Sequence, residues 1–374
     1  MSGKSVFFTG ATGYIGGTVL QSLINSSTPP SRITALIRDP KKSDLLTSIP
    51  SAKSKGIAIT PLVGSLSDLD KVRDAAADAD VVVSTADADD LEAVKAILEG
   101  LKLRKEKTGH RGVLIHTSGT GVLIDDAKGE YPNDKIYTDL NPTPATRTSP
   151  ALLSLADLPP SAPHREVDLA IIAADKAGDV KSYIILPSTI WGPGEGEVYE
   201  SGLSNSFSDQ IPTLIKAALD RQRAGVVGKG KNIWPHVRIT DLGKLYALVY
   251  EKSTLAKATI GHGPSGYYLG IAGEYTLFGA ASRIGQALLS AKLVPQGTET
   301  TPTTFTKEEL DRYYGGSDYM GTNSRGVADR SKSIGWKPKY TEDEDMFKYI
   351  DTESVRIEKT FGKEWSTKNK VKAY

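Results

Sequence analysis

The stretch FFTGATGYIGGTVLQSL, residues 7–23, constrains this chain more than any other. An apolar run leads directly into Gly10, Gly13 and Gly16 in a G-x-x-G-x-x-G spacing, and an amphipathic segment follows. Such a turn needs positive backbone angles, a main chain bare enough to approach a pyrophosphate, and a helix start whose free N–H groups face the charge. Taken alone the glycine pattern is weak evidence. Set between a strand and a helix it predicts a dinucleotide site contacted by Gly10, Thr12, Gly13, Tyr14, Ile15 and Gly16, the alternative being a turn with a structural role only.

The chain then alternates short apolar runs with segments of helical period. The runs lie at 5–10, 32–38, 56–64, 80–86, 111–119 and 181–188, and the helical segments at 14–25, 68–77, 90–106 and 164–177. Strands of nearly continuous Val and Ile character are expected where helices cover both faces of a parallel sheet. The rhythm predicts an α/β fold, a Rossmann-like doubly wound parallel sheet over residues 1–191. Residues 121–163, rich in proline and acids, break it as a long loop near the active site. From 192 to 374 the pattern predicts a smaller C-terminal substrate-binding lobe interleaved with the last strands, with helices at 209–223, 241–252 and 275–292 and a polar, tyrosine-bearing tail.

Composition narrows the function. Lys plus Arg (46) balance Asp plus Glu (45), so no polyanionic partner such as nucleic acid is indicated. The start of the chain lacks the basic and apolar regions of a signal peptide, and no apolar run reaches the roughly 20 residues that span a bilayer. With no cysteine, disulfides, thiolate metal sites and cysteine nucleophiles are excluded. His110, His116 and His262 show no metal spacing, so no metal is expected. The reading is a soluble, cytoplasmic protein with a small-molecule substrate, monomeric or homodimeric.

The second run ends ALIRDPKK, where Arg38 precedes Asp39. A guanidinium there suits the 2′-phosphate of NADP(H), with Lys41 or Lys42 assisting, whereas Asp39 on the ribose hydroxyls would suit NAD. NADP(H) is the preferred cofactor. Ser65 and Leu66, after Gly64, are expected to flank adenine, and Thr85, Ala86 and Asp87 to lie beside the middle of the cofactor.

Together with HTSGTGVL at 116–123, ILPSTIWGPG at 185–194 and WPHVRITDLGKLY at 234–246, the turn makes the chain resemble the extended short-chain dehydrogenase/reductase superfamily. It looks closest to the NAD-dependent epimerase/dehydratase-like branch, near the NmrA-like and dihydroflavonol-reductase-like groups. The resemblance covers most of residues 3–345 and specifies no substrate. It implies cofactor contacts from Pro187 and Thr189 and places Trp191, Asn232, Trp234 and His236 near the substrate, though core packing accounts for such aromatics equally well. Tyr313, Tyr314 and Tyr319 either line the pocket or cover its lobe.

Enzymes of that superfamily use a serine after the fifth strand and a Tyr-x-x-x-Lys pair on the next helix. Ser118 falls on the serine. His164 falls on the tyrosine and Asp168 on the lysine, so the usual proton-transfer pair is replaced. Tyr131-x-x-x-Lys135 repeats the spacing, but Pro132 inside it and Pro142 and Pro144 behind it argue for a loop, from which Tyr131, Lys135 or Tyr137 can still fold over the pocket. Residues four apart on a helix share a face, so His164 and Asp168 are expected to point together into the cleft. The imidazole then serves as proton donor, and the carboxylate binds the ribose or holds the ring. The plainer alternative is that both are structural. Two functions follow: an NADP(H)-dependent oxidoreductase or epimerase-like enzyme acting on a carbonyl, imine or alcohol, or a cofactor-binding protein without net redox chemistry, such as an NADP sensor.

Overall fold

The structure, a computed structural model, describes residues 3–140, 152–255 and 260–365. Pro142 and Pro144 of the long loop therefore lie outside the described residues. The six apolar runs become strands β1 (Ser5–Thr9), β2 (Arg32–Ile37), β3 (Ala58–Val63), β4 (Val81–Ser84), β5 (Gly112–Thr117) and β6 (Val180–Pro187). Phe7, Phe8, Val82, Leu114, Ile184 and Ile185 are fully buried, as a sheet covered on both faces requires.

Among the further strands are β7 (Thr189–Trp191), β8 (Ile233–Arg238) and β9 (Tyr267–Gly270). Among the described residues the main sheet has seven strands, in the order β3-β2-β1-β4-β5-β6-β9, each pair parallel. The order turns back between β1 and β4, and that crevice at the carboxyl ends of the strands is where open α/β sheets take ligands. Strand β9 was absent from the sequence reading because GYYLG sits far along the chain from β6, whose edge it completes.

Helix α1 (Tyr14–Ile24) packs on α6 (Ile239–Ser253); on the other face lie α2 (Leu69–Ala77), α3 (Leu91–Thr108) and α4 (Arg165–Lys176). A second core belongs to the lobe, where α5 (Gln210–Asp220), α7 (Leu277–Ser290) and α8 (Asp343–Phe361) pack together beside a small sheet of β7, β8 and β10 (Gly273–Thr276). The lobe is thus drawn from segments on either side of β9, and α6 and β9 return to the sheet.

Helix α8 corrects the expectation of a polar tail. Met346, Ile350 and Ile357 are fully buried along one stripe, and Asp343, Glu344 and Asp345 in its first turn suit the positive end of the helix dipole. Among the described residues no helix is long and apolar enough to cross a membrane.

Candidate active site

A cleft of roughly 410 Å3 opens where the sheet meets the lobe. Its floor is Gly13, Tyr14 and Ile15 with Thr85 and Ala86; one wall is Thr117–Gly121 with His164, and the other is Asn205, Phe207–Gln210, Trp234 and Tyr319.

The three turn glycines do different work. Gly10 has φ +84°, and a Cβ on it would come within 2.8 Å of the Ala86 nitrogen. A Cβ on Gly16 would lie 1.9 Å from the Gly10 carbonyl oxygen, so that glycine lets α1 cross its own turn. Gly13 differs: its backbone is extended (φ −86°, ψ 175°) and its Cβ would meet only the Gly10 oxygen, at 3.2 Å. Any residue can adopt that backbone, which corrects the expectation that the angles themselves exclude side chains. A side chain there would fill the cleft floor, so the bareness of Gly13 serves what lies in the cleft. Helix α1 begins at that point with no side-chain cap, leaving its first N–H groups to a ligand. The cradle fits a dinucleotide pyrophosphate.

The rim beyond is set by β2 and β3. Arg38 is exposed just past β2 and has no hydrogen-bond or ion-pair partner among the described residues. Asp39 is occupied, its Oδ1 accepting the Lys41 N–H at 3.0 Å as the cap of a short helical turn. Lys42 donates to the Leu203 carbonyl. Ser65 gives its N–H and hydroxyl to Asp68, and with Leu66 it stands after β3 outside the cleft lining. Pro187 lines the cleft, whereas Thr189 is fully buried and hydrogen-bonded to the Tyr275 hydroxyl.

The start of α4 departs most from the sequence reading. His164 is not a helical residue: it is the N-cap, in the left-handed region at φ 64°, a conformation costing a non-glycine residue about 1–2 kcal/mol. Its side chain does not cap the helix. Nδ1 instead meets Asp89 Oδ1 at 2.7 Å, and Nε2 faces Gly119 and Gly121, where a Cβ on either would come within 3.2 Å of it. With Asp89 ionised, Nδ1–H donates and Nε2 is the nitrogen turned toward the cleft wall. Because the chain is not yet helical at 164, the same-face rule fails. The carboxylate that holds the ring is Asp89, and Asp168 lies behind the wall, fully buried, with Ser118 Oγ donating to its Oδ2 at 3.2 Å.

Of the residues expected near a substrate, Trp234 lines the cleft, its ring 5.3 Å from that of Tyr319. The other three are placed in the core: Trp191 donates to His236 Nδ1 at 3.1 Å, and Asn232 donates to the Met320 and Thr322 carbonyls. Burial pushes His236 down to about 4, so it stays neutral there. YPNDK is a loop, as its prolines suggested; Tyr131 is 51% exposed, and neither it, Lys135 nor Tyr137 lines the cleft. Tyr313 bonds Asp220 and Tyr314 packs on Phe305, which leaves Tyr319 as the C-terminal tyrosine in the site.

Two contributions escaped the sequence reading. Asp89 sits in TADADD (85–90) after β4, where nothing local separates it from its acidic neighbours; Asp90, next to it, is the cap of α3. The second is SNSFSDQ at 204–210, whose Ser204 hydroxyl and Asn205 N–H bond the Ala11 and Thr12 carbonyls and tie the lobe to the glycine turn. Its dense Ser and Asn content before a helix was the available signal.

Comparison with known proteins agrees with this geometry. Residues 10–140 match the family of NAD(P)H-binding domains. An oxidase of Acremonium sp, Oxidase ucsJ, is 28% identical over 355 residues, covering 90% of this chain and 93% of that protein. An uncharacterized protein of Schizosaccharomyces pombe is 26% identical over 263 residues, 67% of this chain and 71% of its own. Among solved structures, UDP-glucuronic acid 4-epimerase from Bacillus cereus, in complex with UDP-glucuronic acid and NAD, superposes with a TM-score of 0.58 at 15% identity, over 96% of this chain and 100% of that one. The dTDP-glucose 4,6-dehydratase DesIV from Streptomyces venezuelae, with NAD bound, gives 0.59 at 14%, over 96% and 97%. Residues 10–140 thus match an NAD(P)H-binding family, and the chain shares the Rossmann-like fold of these solved epimerase and dehydratase structures.

Proposed function

We propose that this protein is an NADP(H)-dependent oxidoreductase, or an epimerase-like enzyme using the same chemistry, acting on a carbonyl, imine or alcohol of a small metabolite. The observation that carries this reading is the Asp89–His164 contact of 2.7 Å, which turns the second ring nitrogen to the same wall as Ser118. The glycine turn and first N–H groups of α1 would hold the pyrophosphate, and Arg38 the 2′-phosphate. When bound, the nicotinamide supplies hydride donation or acceptance. Ser118 hydrogen-bonds the reacting oxygen; neutral His164 Nε2 takes its proton in alcohol oxidation, and the imidazolium, stabilised by Asp89, gives a proton to that oxygen in carbonyl reduction and returns to neutral. The left-handed backbone at His164 is the kind of strain that persists at functional sites. A cleft lined from both the sheet and the lobe can hold a substrate beside the cofactor, which supports the enzyme over the sensor.

The test is to follow NADPH oxidation against a panel of aldehydes, ketones and imines, and NADP+ reduction against the matching alcohols and amines. His164→Phe should lower turnover of the best substrate by roughly 100- to 10,000-fold while NADP binding persists. Wild-type turnover in the variant would remove His164 from the chemistry and shift the proton donor to Tyr319. No turnover by the wild type with any compound, with NADP bound, would favour the sensor.

A further inference from the structure

Asp168 is fully buried; its Oδ2 receives the Ser118 hydroxyl at 3.2 Å and its Oδ1 has no hydrogen-bond partner among the described residues. The charged and titratable groups around it are Arg165 and His164 at the start of its own helix, Asp89 from the loop after β4, and Tyr267 from β9. Arg165 donates to the Tyr267 hydroxyl instead of to Asp168. The carboxyl thus has one directed contact, with a hydroxyl that also lines the cleft. A serine hydroxyl owns a single proton, so Ser118 can give it to Asp168 or to a ligand, not to both at once.

Resting on the function proposed above, we infer that Asp168 is a positioning residue: its carboxyl decides whether Ser118 presents a hydrogen-bond donor or an acceptor to the substrate oxygen. With Asp168 protonated, its O–H donates to Ser118 Oγ and the serine proton turns to the cleft, where it suits a carbonyl oxygen. With Asp168 ionised, the serine proton is held by the carboxylate and Oγ accepts from an alcohol. One proton, exchanged between Asp168 and solvent, separates the two states. Burial pushes the carboxyl up to about 7, against the opposing pull of the Ser118 hydrogen bond and the His164 and Arg165 charges, so both states are populated near neutrality. Carbonyl reduction is then favoured on the acid side of this titration and alcohol oxidation on the alkaline side.

Infrared difference spectroscopy of the purified protein, from about pH 5 to about pH 9, reads the carboxyl without any substrate. The wild type should show a protonated-carboxyl band that titrates near neutrality and is missing in the near-isosteric Asp168→Asn. Ser118→Ala should shift that band and raise its midpoint, since the hydroxyl stabilises the ionised form. In turnover, wild-type carbonyl reduction should fall about tenfold per pH unit above the midpoint. Asp168→Asn, whose amide donates permanently to Ser118 Oγ, should make that fall shallower, leaving only the part that the proton donor itself imposes. Absence of an Asp168-dependent band, a band that Ser118→Ala leaves in place, or an unchanged pH slope in Asp168→Asn would each overturn the inference. The infrared result stands apart from the oxidoreductase reading, which only the turnover panel decides.

Discussion

The glycine turn and the start of α4 bound the same cleft, yet the reach of their contacts differs. In the turn, part of what makes glycine necessary is local, the positive φ of Gly10 and a Gly16 Cβ that would collide with Gly10 itself, although a Cβ on Gly10 would also meet Thr85 and Ala86 after β4. At α4 the partners come from far along the chain, Asp89 lying 75 residues from His164 and Ser118 50 residues from Asp168. A short-range constraint leaves its trace in spacing. A long-range one leaves only a residue type, and which acid serves which partner is settled by the fold.

The largest expected effect tests the division of labour within the turn. Gly13→Val should fold, since its backbone is extended and its Cβ meets little, but should abolish measurable NADP binding by filling the cradle. Gly16→Ala should instead fail to fold stably, because the added carbon would lie 1.9 Å from a backbone oxygen. Melting curves and cofactor titrations of the two variants check this. A folded Gly13→Val that binds NADP as the wild type does would mean that the phosphate cradle lies elsewhere.

Next in size is Arg38, at the rim where a local reading meets a distant ligand. Arg38→Ala should weaken NADP by about 1.5–3 kcal/mol, the value of a charge-assisted hydrogen bond, and leave NAD nearly unchanged. Calorimetric titration of both cofactors into both proteins measures the difference. The exposed guanidinium, without a partner among the described residues, is the feature on which the proposal of NADP over NAD rests. Equal affinities in the wild type would remove Arg38 from cofactor choice.

How far the sequence could be read follows the same division. Strands β1 to β6 and helices α1 to α4 were legible within about two residues, because buried parallel strands and amphipathic helices carry their own period. Strand β9 was not, since four residues at a sheet edge need a partner more than their own pattern. Helix α8 was hidden by acids and lysines on its exposed face, although Met346, Ile350 and Ile357 kept its buried stripe. In the cleft, Ser118 and His164 line the wall where their positions suggested, whereas Trp191 and His236 take the core-packing alternative and satisfy each other inside the lobe. Asp89 had no local mark at all.

The smallest expected effect tests that last residue. Were His164 oriented by Asp168, as i,i+4 spacing suggested, a change at 89 would leave the ring in place. In the structure Asp89 holds Nδ1, but its side chain is 49% exposed, so solvent screening reduces what the contact is worth. Asp89→Asn keeps the shape and can still accept the Nδ1 proton, yet loses the charge that stabilises the imidazolium. The expected cost is about 1.5 kcal/mol, close to tenfold in turnover, with NADP affinity unchanged. Turnover and NADP affinity of Asp89→Asn and Asp168→Asn, measured side by side, check this. Turnover that falls on changing Asp168 but not Asp89 would show that the start of α4 is organised by short-range contacts after all.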